Sequence, residues 1–325
     1  MPSVRFIFSV IALTAAFASP ATHAQVYPAK PVRLIVPYPA GGGTDFFARA
    51  VGAQLSQQLG QQIVVENRPG AATIIGAEAA AKSAPDGYTL LLGDTATFAV
   101  NPTLYKKLPY DPQKDFAPIS LTGRFALLLV VNPAKITATS VKGLIEEAGK
   151  APGKIDYASP GPGSPHHLAM EMFKQRTGTQ FNHVPYKGAG PAIQDLLGGQ
   201  VSLMFLDLAA GAPQVKSGKL KALAVASDKR IAALPELATV AESGYPGFEA
   251  WAWQALAAPA STPKEIVARL NAEYRKAIGM PELRQKLIDA GIDPLQSSPD
   301  EASAYMRSEA AKWAKVISDG KITVE

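Results

Sequence analysis

The chain contains no cysteine, which excludes disulfides, thiol nucleophiles and thiolate metal sites. Charge is sparse: acidic and basic residues make up 18% of 325 residues, with a formal net charge of +5. The small basic excess forms no run. It permits attraction of small anions but leaves no footprint for nucleic acid. Only four histidines occur, none at His-Glu-x-x-His spacing, so no metal is supported and no cofactor is expected. Catalytic signatures are missing too. Gly41-Gly42-Gly43-Thr44-Asp45 lacks both the Gly-Lys-Ser/Thr of a phosphate loop and the Gly-x-Gly-x-x-Gly of a dinucleotide site. Ser164 has Pro162 and His166 where a nucleophile elbow needs glycines. The adjacent His166 and His167 do not by themselves make a Ser–His dyad, so hydrolysis is the weakest reading. There is no tandem repeat, no low-complexity tract and, after the N-terminus, no run fit to span a membrane.

At the N-terminus, Arg5 precedes the apolar run Phe6 to Leu13 and small residues to Ala24. This is the pattern of an export signal, with cleavage expected after Ala24; an uncleaved anchor is the alternative. Removal of residues 1–24 lowers the net charge by one, through Arg5. A cysteine-free exported chain is compatible with an oxidising periplasm.

The remainder alternates strands with helices, the signature of an α/β fold with a parallel or mixed sheet. Two segments share one design. Val32 to Val36 runs into Pro37-Tyr38-Pro39-Ala40-Gly41-Gly42-Gly43-Thr44-Asp45, and Ile155 to Ala158 into Ser159-Pro160-Gly161-Pro162-Gly163-Ser164-Pro165. Each is a strand, a loop of small residues and a helix N-terminus, which suits a carboxylate or phosphate. The first helix carries Phe47, Val51, Leu55 and Leu59 on one stripe, with Thr44 as the expected cap and Gly60 as its end. A lobe crossing is placed just before the buried strand Leu127 to Val131. Residues 101–115 read as surface loop, and 228–250 as the return. The expected lobes are 25–124 with 249–325, and 125–248. Capping boxes are expected at Thr262-Pro263-Lys264-Glu265 and Ser298-Pro299-Asp300-Glu301. Two lobes joined by two crossings make a hinge with a cleft, and ligands of such sheets sit off the carboxyl ends of strands.

The candidate ligand residues follow from that placement. Tyr38 and Ala40 to Asp45 form one set. Thr95 and Thr97 lie in a polar loop after the strand Tyr88 to Leu92. Ser159, Gly161, Gly163, Ser164 and His167 form the opposing set. Asp45 caps its helix or accepts from a ligand hydroxyl, ammonium or water; direct contact with an anion would be repulsive. One of His166 and His167 is expected to anchor its loop, the other to be solvated. Tyr186, Lys187 and Gly188 end another strand: Tyr186 lines the cleft or packs in the hinge, and Lys187 complements an anion or is a solvated charge. Asp207, also at a strand's carboxyl end, is a candidate for selecting a polar or cationic group. Trp251 and Trp253 read as core.

Several runs also match a family: Tyr27 to Arg33, the Gly-Gly-Gly-Thr-Asp loop, Val65-Glu66-Asn67-Arg68-Pro69-Gly70, Pro85-Asp86-Gly87-Tyr88-Thr89-Leu90, Tyr110-Asp111-Pro112, Tyr157 to Ser164 ending at His167-Leu168, His183 to Gly188, and Pro235 to Phe248. The chain resembles the Bug family, extracytoplasmic solute receptors of tripartite tricarboxylate transporters, over almost its whole mature length. The resemblance implies a monomeric two-lobed periplasmic binding protein (type II, Venus flytrap), with a ligand cleft between two mixed sheets and no catalysis. It implies a small di-, tri- or aromatic carboxylate held by Ala40 to Asp45 and Ser159 to Ser164, near Tyr186 to Gly188. The implied partners are membrane permease subunits or, alternatively, a sensor kinase. Met170 and the segment Phe205 to Leu208 depart from the usual pattern and leave the acid unidentified.

Overall fold

A computed structural model describes residues 27–324. The expected export signal lies outside them. In chain order the elements are β1 (Val32–Val36), α1 (Gly43–Leu59), β2 (Ile63–Asn67), α2 (Ile74–Ala81) and β3 (Thr89–Asp94), then a π-helical turn (Ala96–Val100) and α3 (Asn101–Leu104). There follow β4 (Phe116–Val131), α4 (Val141–Lys150), β5 (Asp156–Ser159), α5 (Pro165–Thr177), β6 (Asn182–Pro185), α6 (Ala189–Leu197), β7 (Leu203–Asp207), α7 (Leu208–Lys216) and β8 (Lys221–Val225). The last are β9 (Trp251–Pro259), α8 (Lys264–Ile278), α9 (Pro281–Asp289), β10 (Ile292–Pro294) and α10 (Pro299–Asp319).

Two mixed sheets share β4. In the first, β1 pairs parallel with β2 and β3, and β9 lies antiparallel between β3 and β4. β10 closes the other side of β4. In the second, β5 pairs parallel with β6 and β7, while β7 and β8 flank β4 antiparallel. The change of sheet falls between Ala126, opposite Trp251, and Leu127, opposite Asp207. The sequence reading saw only the all-apolar end of this 16-residue strand. Its first half alternates with polar residues and a Gly, so it lacks a continuous run. The chain returns where Ala226 donates to Leu127 O and Ala250 to Ala226 O.

Three apolar clusters hold the layers. Val32, Leu34, Val36 and Leu92 pack under α1, α8 and α9. Leu128, Val130, Met204 and Leu206 pack under α6 and α7. The third cluster runs through both sheets, joining Ile35 and Leu91 to Leu129 and Phe205, and α10 lies across it through Trp313 and Ile317. Trp251 and Trp253 are buried as expected. At the start of α10 the capping box forms, with Ser298 and Glu301 each bonding the other's backbone.

Some local expectations fail. The cap of α1 is Gly42, not Thr44, which sits inside the first turn. Its hydroxyl instead accepts Gln254 Nε2 at 2.5 Å. Thr262 forms no box: Pro263 caps α8 without a side-chain bond. Residues 101–115 are not all surface loop. Asn101 and Leu104 are buried on a short helix, and the Tyr110 hydroxyl donates to Thr97 O at 2.9 Å.

Candidate ligand-binding site

Residues Ala40 to Gly43 are exposed at the carboxyl end of β1, and the loop is shaped from beneath by Asp45. That buried carboxylate accepts Gly41 N at 2.9 Å, Arg49 Nε at 3.0 Å and Asn67 Nδ2 at 2.9 Å. The bond from Arg49 is the chief cause that holds the acid's pKa down, at about 2. Asp45 therefore acts within the loop. Gly41 needs its hydrogen side chain, since its φ is +88°. Among the described residues, no hydrogen bond occupies the N–H groups of Gly42, Gly43 or Thr44. Three amides stand open at the positive end of a 17-residue helix.

The Tyr38 hydroxyl donates to Asp94 at the end of β3. Asp94 also accepts the Thr97 amide at 3.0 Å and its hydroxyl at 2.9 Å. Burial of Asp94 raises its pKa, against the pull of these donors. The Thr95 hydroxyl accepts Trp253 N at 3.0 Å. Both threonine side chains are thus buried and bonded inside the protein.

The second loop is more self-contained. Three of its residues are prolines and offer no N–H. Gly161 N donates to Ser159 Oγ, Gly163 N to His167 Nδ1, and Ser164 N to Gly161 O. The Ser164 hydroxyl caps α5 by accepting His167 N. Tyr186 N and Gly188 N donate to Ser159 O and Pro160 O, which brings the 186–188 turn beside this loop. The Tyr186 hydroxyl donates to Asp195 at 2.7 Å, and burial, with that carboxylate, raises its pKa to about 12. Lys187 is exposed. Gly163 is required where it stands: φ is +75°, and a Cβ there would fall 2.4 Å from Leu104 of α3.

Ser159 Oγ lies 2.7 Å from His183 Nε2. This is nucleophile-to-base spacing, but Ser159 is fully buried and its oxygen also bonds Gly161. His183 stacks on His167 with centroids 4.1 Å apart, and Tyr157 lies near-parallel to both rings, 4.8 Å from His183 and 6.4 Å from His167. Burial lowers the pKa of His167 to about 3 and of His183 to about 4. Both rings are neutral supports for the loop. His167 is the anchoring histidine; His166 is buried rather than solvated, because α5 turns its first residues toward β7. His166 Nε2 lies 3.2 Å from Asp207 Oδ2. The Asp207 charge also acts on the Tyr38 phenol. Asp207 thus meets the start of α5 and lies within electrostatic reach of the first loop.

Sequence reasoning missed Asp94 and Gln254, and read His166 only as a loop anchor or a solvated ring. Asp94 stood at a strand end, which was a usable signal; Gln254 carried none. A groove of about 880 Å³ lies elsewhere, along residues 102–115 and Ala310, and contains none of the candidate ligand residues. Among the described residues, no acid or histidine cluster could hold a metal, and no helix is long and apolar enough to cross a membrane.

Comparison with known proteins agrees with this architecture. A family model described as the tripartite tricarboxylate transporter family receptor matches residues 47–322. Protein BugT of Bordetella pertussis is 39% identical over 318 residues, 98% of this chain and 97% of that protein. An R. palustris protein solved with adipate has a TM-score of 0.84 at 37% identity, covering 91% of this chain and 99% of its own. The periplasmic binding protein BugD has a TM-score of 0.81 at 35% identity, covering 91% and 99%. The fold is that of a two-lobed periplasmic binding protein, and the chain belongs to the tripartite tricarboxylate transporter receptor family, whose members bind solutes rather than transform them.

Proposed function

We propose that this receptor captures a small carboxylate in the periplasm, between residues 38–45 and 159–167, and delivers it to the permease subunits of a tripartite transporter. One observation carries the reading: the open amides of Gly42, Gly43 and Thr44 at the α1 N-terminus. They form a donor set for an anion without a fixed counter-charge. The adipate bound by the R. palustris relative supports the chemical class. The second loop contributes shape through Gly161 and Gly163 and fewer free donors. Thr95 and Thr97 act by holding Asp94 and β9. Tyr186, Lys187 and Gly188 border the second loop, and Lys187 adds positive charge at its rim.

The lobes are residues 25–124 with 249–325, and 125–248; the change of sheet at Ala126 and Leu127 supports that division. Residues 1–24 are the cleaved export signal, which the charged, apolar and small-residue order supports. A thermal-shift screen of mono-, di-, tri- and aromatic carboxylates tests the reading, because a ligand of the native state raises the melting temperature. A rise with one class and not with matched amides or alcohols is expected. No rise with any carboxylate would overturn it.

A further inference from the structure

His166 is the side chain in this region that the fold leaves unexplained. It is more than nine-tenths buried, yet neither ring nitrogen has a hydrogen-bond partner among the described residues. Its Nε2 is 3.2 Å from Asp207 Oδ2, out of line for a bond. Asp207 is 30% exposed and is given no hydrogen bond by any described residue. Tyr38 cannot supply one, because its proton is committed to Asp94. Buried polar groups are ordinarily paired, so this pair is incomplete as it stands.

Its place in the fold says what completes it. Asp207 ends β7 opposite Leu127, where β4 passes from one sheet to the other. On one side its charge reaches Tyr38 of the first loop. On the other it meets His166, the second residue of α5 and the first after the second loop to carry an N–H. A carboxylate between the bases of both loops repels a second anionic group and accepts from a donor. Covering it without a donor costs the desolvation of an unpaired charge.

We propose that Asp207, positioned by His166, is the ligand-selecting acceptor of this receptor. It takes a hydrogen-bond donor on the bound acid, so a carboxylate bearing a hydroxyl or ammonium group is chosen over the same acid without one. The proposal rests on the carboxylate-receptor reading above. Asp207 makes the contact. His166 acts through it, fixing the carboxylate's orientation from behind.

The test is calorimetric titration of the full mature chain with matched pairs: succinate against malate and aspartate, glutarate against 2-hydroxyglutarate and glutamate, propionate against lactate and alanine. The donor-bearing member of at least one pair should bind about tenfold tighter or better, the worth of one bond to a charged group. Asp207→Leu should bring that ratio close to one. His166→Phe should lower the ratio, and His166→Gln, which keeps a donor, should restore part of it. Equal binding within every pair, or an unchanged ratio in Asp207→Leu, overturns the proposal while leaving the receptor reading intact. Binding of no carboxylate in any pair overturns the proposal, while the receptor reading is overturned only if the tri- and aromatic carboxylates of the thermal-shift screen also fail to bind.

Discussion

The Gly41 amide donates to Asp45 Oδ2 at 2.9 Å, so a carboxylate in the first turn of α1 ties down the loop that precedes it. The bond from Arg49 keeps the Asp45 pKa at about 2 in the fold, against an ordinary carboxylate value of about 4. A depressed acid stabilises the fold above its unfolded pKa, and the contribution is lost as pH falls through the folded one. Arg49 is half exposed, so solvent screening trims the effect to about 1 kcal/mol. Asp45→Asn should lower stability at pH 7 by that amount. Urea unfolding at pH 7 and pH 3 should show the gap between variant and parent narrowing at the lower pH.

Gly42 and Gly163 should respond in opposite ways. Gly42 has φ −83° and ψ 173°, open to any residue, and a Cβ there would meet only Pro39 O at 3.9 Å. Gly42→Val should fold with an unchanged melting temperature and lose carboxylate binding, as its branched side chain covers the amides. Gly163→Ala combines positive φ with the clash on Leu104 and should cost about 1–3 kcal/mol. Melting curves read with and without ligand separate the two effects.

The stacked histidines should make the receptor acid-sensitive. Burial lowers both pKa values, to about 3 for His167 and about 4 for His183. Lys174 opposes protonation of both, Glu171 favours it at His183, and the hydroxyl of Tyr157 donates to Glu171. Unfolded imidazole titrates near 6.5. The unfolded chain therefore binds more protons between about pH 4 and 6.5, and stability rises with pH across that window. The urea midpoint should climb from pH 5 to pH 7 and then level off. His183→Phe keeps a flat ring in the stack and should flatten the climb.

Glu309 joins α10 to the sheet. Its Oε2 accepts the indole N–H groups of Trp253 at 2.9 Å and Trp313 at 3.0 Å. Glu309→Ala leaves two buried donors unpaired, at about 1–3 kcal/mol each. Chemical denaturation should show a loss of about 2–6 kcal/mol, with Glu309→Gln, which still accepts, losing less.

The sequence showed the loops more clearly than what supports them. Runs such as Val32 to Val36 and the glycines after them are local signals, and their elements formed as read. The α1 cap was misjudged because Thr44 and Gly42 both suit an N-terminus. Only the tertiary bond from Gln254, more than 200 residues away in sequence, occupies the threonine. The early half of β4 stayed hidden because Ser120, Thr122, Gly123 and Arg124 break any apolar run there. Pairings such as Asp45 with Asn67, and Asp207 with His166, join distant positions. Composition and spacing carry no trace of such geometry.

Because β4 is one unbroken strand woven into two sheets, neither lobe is a free-standing module. Severing the chain between Ala126 and Leu127 would leave β1 to β3 and the first half of β4 on one fragment, and their partners β9 and β10 on the other. Each fragment would present raw, unpaired backbone along a fresh margin, an invitation to clump with its neighbours. The molecule is therefore obliged to mature as a whole, and half-receptors should be absent from any workable dissection of it.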